Sequence, residues 1–563
     1  MTQRSPQPNV RSSEDGFLFP LKFWFLVVLS GIGAGLAGGA LMKLLHAAQQ
    51  IAFGYHSGTF LDNTPKASDE RRIIVLFLAG VISVVVRRML KAMTGGSGAE
   101  LSETIWFRAG KLPFWSSLVK AVLSIITVGM GVSLGREGAL KQTGAAIASR
   151  LAQWFQLPPG QQRLLVACAA GAGMAAAYNV PFGGAIFAVE VLLGTLSLPL
   201  ILPALAASFI ATGVSFVLLP ARPTYSVPAY SLHLTDALWA CLAGPVLGLG
   251  AFLWVRAIVW ADAAVPRGWK TVAVTILVFT ALGVVAVQYP DVLGNGKGVV
   301  QRAYLNQYAL NLLLPLLALK MIAAPACLST GSPGGLFTPT LTVGALMGAV
   351  LGHLWALVLP APQMGVFAIV GSAAVLAAAT QGPISAVAFV LELTHHATPL
   401  MVPMLLAIVG ASLVARSLDN RSVYSAPVVS GMKAAEKRIL SGTPFDRFST
   451  EAFSVSSSVA PYATVLRRML FQHGPMFVVD NEGKLAGEIR ADDLNRQQSG
   501  IPRSLTTAAD LARYVAAVSA HATEREVAEM VAREAAALPV VDPASGKLIG
   551  AVAVSGEKEQ RDA

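Results

Sequence analysis

The 563-residue sequence predicts an all-α protein that crosses a membrane many times, followed by a small soluble α/β domain. Three observations lead there. Charge is scarce in the first three-quarters of the chain, apolar stretches of membrane-spanning length recur there, and a Gly-rich loop followed by a Pro-led apolar helix occurs twice.

Only 13% of the residues are charged and 54% are hydrophobic, whereas a soluble domain carries about 25% charged residues. Residues 1–430 hold 26 Lys/Arg and 14 Asp/Glu, and residues 431–563 hold 16 and 17. The first part thus has the composition of a membrane protein and the second that of a soluble domain. The net charge of +11 sits in the membrane part, where basic loops orient a protein, so it is no signature of a nucleic-acid partner. Cys168, Cys241 and Cys327 are odd in number and lie in apolar runs, which argues against a disulfide framework. No cluster of residues has metal-ligand spacing.

In chain order, residues 1–16 read as a disordered N-terminus. The apolar run that follows exceeds the roughly 7–15 residues of a signal-peptide core and reads as a retained first span. Spanning a bilayer takes about 20 apolar residues, and 21–45, 72–90, 198–219, 234–258, 271–288, 308–327 and 398–415 qualify. Between them, 117–134, 142–155, 163–177, 181–196, 335–358 and 364–394 are apolar but short or broken by Gly and Pro. Paired interrupted segments of this kind suggest discontinuous helices that meet at mid-membrane around a substrate.

The repeat is specific. Tyr178-Asn179-Val180-Pro181 opens PFGGAIFAVEVL, and Thr380-Gln381-Gly382-Pro383 opens PISAVAFVLELT, each Pro followed nine positions later by Glu190 or Glu392. Upstream, Gly135-Arg136-Glu137-Gly138 places Glu137 44 residues before Pro181, and Gly335-Leu336-Phe337-Thr338-Pro339 places Phe337 46 before Pro383. These two loops and Gly95–Ala99 are Gly-rich turns just before apolar helical runs. A helix start exposes about four N–H groups and roughly half a positive charge, and glycine admits an ion close to the backbone. Several such starts converging would bind an anion weakly enough to release it. The competing reading is that the glycines only pack helices together.

GSGAE at 96–100, GREGA at 135–139, GGLFTP at 334–339 and Tyr424 in VYSAP resemble the CLC family of chloride channels and proton-coupled chloride exchangers. FAVEVLLGTL and LGNGKGVVQ resemble most the bacterial ClcB-type branch, the voltage-gated chloride channels. The resemblance covers residues 20–430 and implies the CLC fold, an inverted repeat of many short tilted helices. It also implies a homodimer with one anion pore per subunit, set in a cell (inner) membrane with both termini cytoplasmic. By the same resemblance Ser97 holds the central anion by its hydroxyl and Tyr424 by its phenol, while Leu336 and Phe337 offer backbone N–H groups. Gly98, Arg136 and Gly138 belong to the same anion-binding loops. Glu137 matches the gating glutamate, which occupies an anion site when ionised and leaves when protonated. A carboxylate at a helix start competes with chloride for the same donors; the alternative is a static charge stabilising its own helix.

Glu103 and Lys120 match a buried acid and lysine that could pair. Glu190 and Glu392 fall near predicted helix C-termini, an unfavourable end for an anion, where they cap, hydrate or face the cytoplasm. His353, His395 and His396 fall at span ends and receive no ligand role. The sequence departs from the family's exchangers at Val191, where a second acid serves the intracellular proton route. Val191 favours a channel, whose gating would be voltage- or pH-dependent, or weakly coupled transport. Proton/chloride antiport stays open as the alternative, with Glu137 and Glu190 as the proton-route candidates. Glu100 replaces a proline of the first loop motif without evident reason.

After a linker at 431–445, the segment 446–556 repeats on a smaller scale, ahead of a short tail at 557–563. Phe477–Asp480 leads to Gly483–Gly487 and Leu538–Asp542 to Gly546–Gly550, two strand–turn–strand patterns, with helical segments at 461–473 and 523–537. This resembles a tandem CBS-domain pair, the adenine-nucleotide-binding regulatory module. The contact pattern for that nucleotide is poor: Asp493 is present, but Arg490 stands where a hydroxyl belongs, and the second copy has Ala553 and Gly556. Pocket chemistry decides function, and here it argues against bound nucleotide; no other cofactor is expected. No GxSxG, HExxH or paired intramembrane aspartates suggest an enzyme, and a receptor role would leave the anion loops unexplained.

Overall fold

The computed structural model describes residues 19–94, 101–107, 110–266, 268–361, 363–419 and 422–424, and, in the tail, 454–457, 476–480, 482–490, 493, 507–519, 522 and 538–552. The chain separates into two compact units, Leu26–Lys433 and a second made of Met1–Phe25 with Ala434–Ala563.

The first unit is helical throughout. Its helices are α1 (Leu21–Phe53), α2 (Phe60–Asn63), α3 (Asp69–Thr94), α4 (Leu101–Phe107), α5 (Phe114–Gly129), α6 (Glu137–Trp154), α7 (Pro159–Tyr178), α8 (Pro181–Phe187) and α9 (Leu198–Ser215). They continue as α10 (Leu234–Ala263), α11 (Lys270–Gln288), α12 (Lys297–Tyr304), α13 (Leu310–Ser329), α14 (Phe337–Trp355), α15 (Gly365–Thr380), α16 (Pro383–Thr394) and α17 (Met401–Leu418). Among the described residues, eight helices are long and apolar enough to span a membrane. All seven spans read from the sequence are among them. The eighth is α14, which corrects the grouping of 335–358 with the broken stretches: its glycines and threonines dilute the apolar signal without stopping the helix. The stretch 364–394 is two helices, α15 and α16, parted at Gln381-Gly382.

The repeat is visible in the backbone. Both α7 and α15 end on a left-handed residue, Asn179 (φ 56°) and Gln381 (φ 59°). The next residue in each, Val180 (φ −134°, ψ 65°) or Gly382 (φ −123°, ψ 75°), leads into a proline at the first helical position. Proline forbids the helical conformation before it and fixes it after, so each pair of helices turns sharply at the same place. The first copy then departs from the second: Ala188–Leu192 forms a π-helical turn around Glu190, whereas α16 stays α-helical to Thr394.

Glycines let the helices of each half press together. A Cβ on Gly144 or Gly173 would strike the carbonyls of Ala169 or Leu140 across α6 and α7; on Gly348 or Gly371 it would strike those of Phe367 or Gly344 across α14 and α15. This is the small-residue packing expected inside a membrane. Two buried cations serve the frame. Arg72 donates to the carbonyls of Thr64, Pro65, Ala67, Ala286 and Val287, covering the end of α11. Lys320 donates to those of Val292 (2.7 Å) and Gly294 (3.1 Å).

In the second unit, β1 (Ser454–Ser457), β2 (Met476–Val479) and β3 (Leu485–Ile489) form one sheet, and β4 (Val518–Ser519), β5 (Leu538–Val541) and β6 (Leu548–Val552) another. In each, the first pair is parallel and the second antiparallel, with the register slipping at Val478/Val479 and at Val540/Val541. Both hairpins from the sequence are present; the leading parallel strands, too short to show a pattern, were missed. The helical segments 461–473 and 523–537 lie outside the described residues. The turns pair reciprocally, Leu485 N–H to Gly546 O (3.3 Å) and Leu548 N–H to Gly483 O (3.0 Å). Phe477, Val479 and Leu548 close a small core.

Candidate functional site

The two Gly-rich loops of the membrane unit meet. Gly135 N–H donates to Gly335 O at 2.7 Å and Gly335 N–H to Gly135 O at 2.6 Å. Equivalent residues of the two copies thus bond reciprocally, as a local two-fold requires. Gly138 packs so tightly on this pair that a Cβ would lie 2.8 Å from Gly335 N and 2.9 Å from Gly334 C.

From this junction α6 and α14 start, and their first residues differ. Glu137 is fully buried, and its carboxylate does not cap its own helix. It crosses to the facing repeat, accepting from Thr338 N–H (3.2 Å) and Thr338 Oγ1 (3.2 Å), and also accepts from Tyr178 Oη (3.2 Å) of its own repeat. A carboxylate therefore occupies the positive end of α14, which a 19-residue helix directs at it. Phe337 and Leu336 form that turn, 1% and 8% exposed. The guanidinium of Arg136 lies over the Tyr178 ring, 4.5 Å from its centroid.

A chain of rings runs away from this point. Centroids step from Tyr178 to Phe337 (6.1 Å), Phe389 (4.6 Å), Phe187 (5.9 Å) and Tyr424 (5.5 Å). At its far end the Tyr424 hydroxyl is buried with no hydrogen-bond partner among the described residues. A buried hydroxyl left so is a donor suited to an acceptor the protein does not supply. Lys141, one helical turn past Glu137, is 5% exposed with Nζ 4.1 Å from the Tyr424 centroid and 5.3 Å from that of Phe187. Sequence reasoning missed Lys141; the signal was a lysine four residues after Glu137 in an otherwise uncharged run.

Glu190 and Glu392 have an unexpected arrangement. Glu190 accepts from Ile384 N–H (3.1 Å) and Ser385 N–H (2.6 Å) at the start of α16, and Glu392 from Phe182 N–H (3.0 Å) and Gly183 N–H (2.6 Å) at the start of α8. Each stands at the C-terminal end of its own helix and caps the N-terminus of the other. The unfavourable end expected for them is thereby offset by a favourable one.

The structure thus brings Arg136, Glu137, Gly138, Leu336 and Phe337 to one junction and reaches Tyr424 through the rings. Ser97, Gly98, Glu100 and the Glu103 side chain lie outside the described residues, so the first loop and the Glu103–Lys120 pair are not placed. His353 and His395 sit at the ends of α14 and α16, as read from the sequence. The three cysteines are free. Among the described residues no group of His, Cys, Asp or Glu could hold a metal ion. Beside the junction, burial and the charges of Arg136 and Arg222 push Lys297 down to about 7. In the tail, the Asp493 carboxylate accepts from Arg490 N–H (2.9 Å) and from Arg513 Nε.

Residues 75–416 match the model of the voltage gated chloride channel family, well over half of the chain. The chain belongs to that family. A ClcB voltage-gated ClC-type chloride channel of Salmonella typhi is 30% identical over 411 residues, covering 71% of this chain and 97% of the relative. An H(+)/Cl(-) exchange transporter, ClcA of Cronobacter sakazakii, is also 30% identical, over 421 residues, covering 72% and 89%. In fold, this CLC chain is similar to a slow cyanobacterial Cl-/H+ antiporter (TM-score 0.65, 20% identity, covering 73% of this chain and 98% of that one). A eukaryotic CLC transporter is similar over 95% of this chain and 97% of its own length (TM-score 0.59, 17% identity). The CLC fold and a multi-pass membrane protein follow; the channel and the exchanger named here stand at equal identity.

Proposed function

We propose that this CLC protein carries chloride passively across a membrane, along the rings from Glu137 to Tyr424, with Glu137 as a gate that competes with the anion. The observation that carries this reading is the Glu137 carboxylate lodged on the Thr338 N–H and hydroxyl at the start of the opposite repeat's helix α14. The backbone N–H and positive end of α14 that hold a carboxylate there suit chloride once the carboxylate leaves, and protonation frees it. The Tyr424 hydroxyl, Lys141 and the positive end of α14 supply further favourable potential without a closed cage.

Channel-like conduction is favoured over antiport by Val191, which carries no proton, and by Glu190, whose oxygens are already engaged by two N–H groups of α16. The antiport reading draws support from the exchanger among the relatives. The two separate in one experiment: the reversal potential of purified protein in planar bilayers under a chloride gradient, with and without a pH gradient. Conduction predicts a potential set by chloride alone. A shift with the pH gradient establishes proton coupling, and absence of any chloride current refutes the proposal.

We further propose a homodimer with one pore per subunit, a cell (inner) membrane location with both termini cytoplasmic, and a CBS-like regulatory tail. The identical strand orders of the two tail sheets support that last reading. Asp493, engaged by Arg513 and Arg490, is poorly free to hold a ribose, which favours a tail without adenine nucleotide.

A further inference from the structure

Tyr178 and Thr338 were read from the sequence as letters of motifs, yet both hydroxyls converge on the gate. Tyr178 Oη and Thr338 Oγ1 are 2.8 Å apart, and each lies 3.2 Å from Glu137 Oε2. Three oxygens in mutual contact share two hydroxyl protons while Glu137 is ionised. The carboxylate therefore receives at least one of them, in addition to the Thr338 N–H on its other oxygen. Thr338 is 0% and Tyr178 2% exposed, so water offers little replacement. Arg136 on one side of the Tyr178 ring, with Phe337 6.1 Å away, fixes the phenol's direction.

We propose that Tyr178 and Thr338 form a hydroxyl latch that favours the Glu137 carboxylate over chloride at this position, and so set the chloride concentration at which the gate yields. The inference rests on Glu137 being the gate. Its physical basis is geometric. The two hydroxyls meet on one carboxylate oxygen while the backbone N–H takes the other, a divided donor set that two oxygens satisfy and a single spherical ion does not. Hydrogen bonds to charged groups are also the stronger ones. Both are positioning residues, acting on transport through Glu137. The other ionisable and charged groups around this carboxylate are Arg136 on its own helix, Tyr225 and Tyr424, with Lys141 one turn on and Lys297 beside the junction; none is a second carboxylate.

The test is chloride flux through purified full-length protein in liposomes, measured against chloride concentration at fixed neutral pH. The variants are Tyr178→Phe, Thr338→Val, Thr338→Ser and Glu137→Gln, each first shown to melt and elute as the native protein does. Tyr178→Phe keeps the ring and its contacts; Thr338→Ala stands in if valine disturbs folding. Weakening the competitor lowers the half-saturating chloride concentration by about three- to tenfold, the scale of a lost charge-assisted hydrogen bond partly compensated. Thr338→Ser, which keeps the hydroxyl, behaves as native. An unchanged or raised half-saturation in Tyr178→Phe and Thr338→Val, with Glu137→Gln lowering it, overturns the latch and leaves the gate standing. A Glu137→Gln protein indistinguishable from native overturns both.

Discussion

The two halves of the membrane unit are built on one plan and differ where it matters. Each has a Gly-rich loop, a helix starting two residues after a bridging glycine, a left-handed turn and a Pro-led helix ending near a glutamate. Where the copies agree, the residues serve the frame: Gly135 bonds Gly335, and Glu190 and Glu392 exchange caps. Where they disagree, one half carries Glu137 and the other Phe337 and Thr338, the carboxylate and the turn that receives it. In the proposed reading the symmetric glutamates hold the frame and the asymmetric one is the gate.

The harshest test of this contrast is Gly135→Ala against Gly335→Ala. A Cβ at Gly135 collides first with the Glu137 carboxylate, whereas one at Gly335 collides with that carboxylate and, at 2.6 Å, with Gly138 N. Both substitutions expel the carboxylate and raise chloride flux at low chloride by about tenfold or more, each tenfold corresponding to about 1.4 kcal/mol. Gly335→Ala also presses on the Gly138 backbone, lowering stability by about 1–3 kcal/mol in a denaturation measurement. Flux unchanged by both substitutions would break the assignment of roles.

Next in size are Glu190→Gln and Glu392→Gln. Each removes a charge from a helix start that holds it with two N–H groups, so each costs about 1–2 kcal/mol and leaves the reversal potential unchanged. Equal losses sharpen the symmetry. A change in reversal potential with Glu190→Gln alone would return Glu190 to the proton route.

The smallest effect concerns Lys297, held near 7 beside Arg136 and Arg222. Its charge is present below about 7 and lost as pH rises through it. Half-saturating chloride therefore rises by about twofold between pH 6 and 8 through weakened attraction of anions. Measured in the Glu137→Gln background, so that the carboxylate does not contribute, the rise disappears in Lys297→Met; persistence there would place the titrating group elsewhere.

Much of this was legible in the sequence because its signals are local. Pro181 and Pro383 fix helix starts, the glycines of 135–138 and 334–335 mark close approach, and seven spans stand out by length and apolarity. What was hidden depends on residues some 200 apart, as the caps from Glu190 to Ser385 and from Glu392 to Gly183 do. Tyr178 was hidden over shorter separations, 41 residues from Glu137 and 160 from Thr338, being an apolar helix residue by position. Lys141 was lost because a helical pattern does not say which face meets Tyr424.

The central claim is that chloride and the Glu137 carboxylate compete for the positive end of α14. Chloride efflux from liposomes holding the purified protein, followed as a function of pH for the native chain and for Glu137→Gln, tests it most directly. The account predicts native efflux that rises as pH falls and Glu137→Gln efflux that is high and nearly flat across the same range. Two curves with the same pH dependence would contradict it.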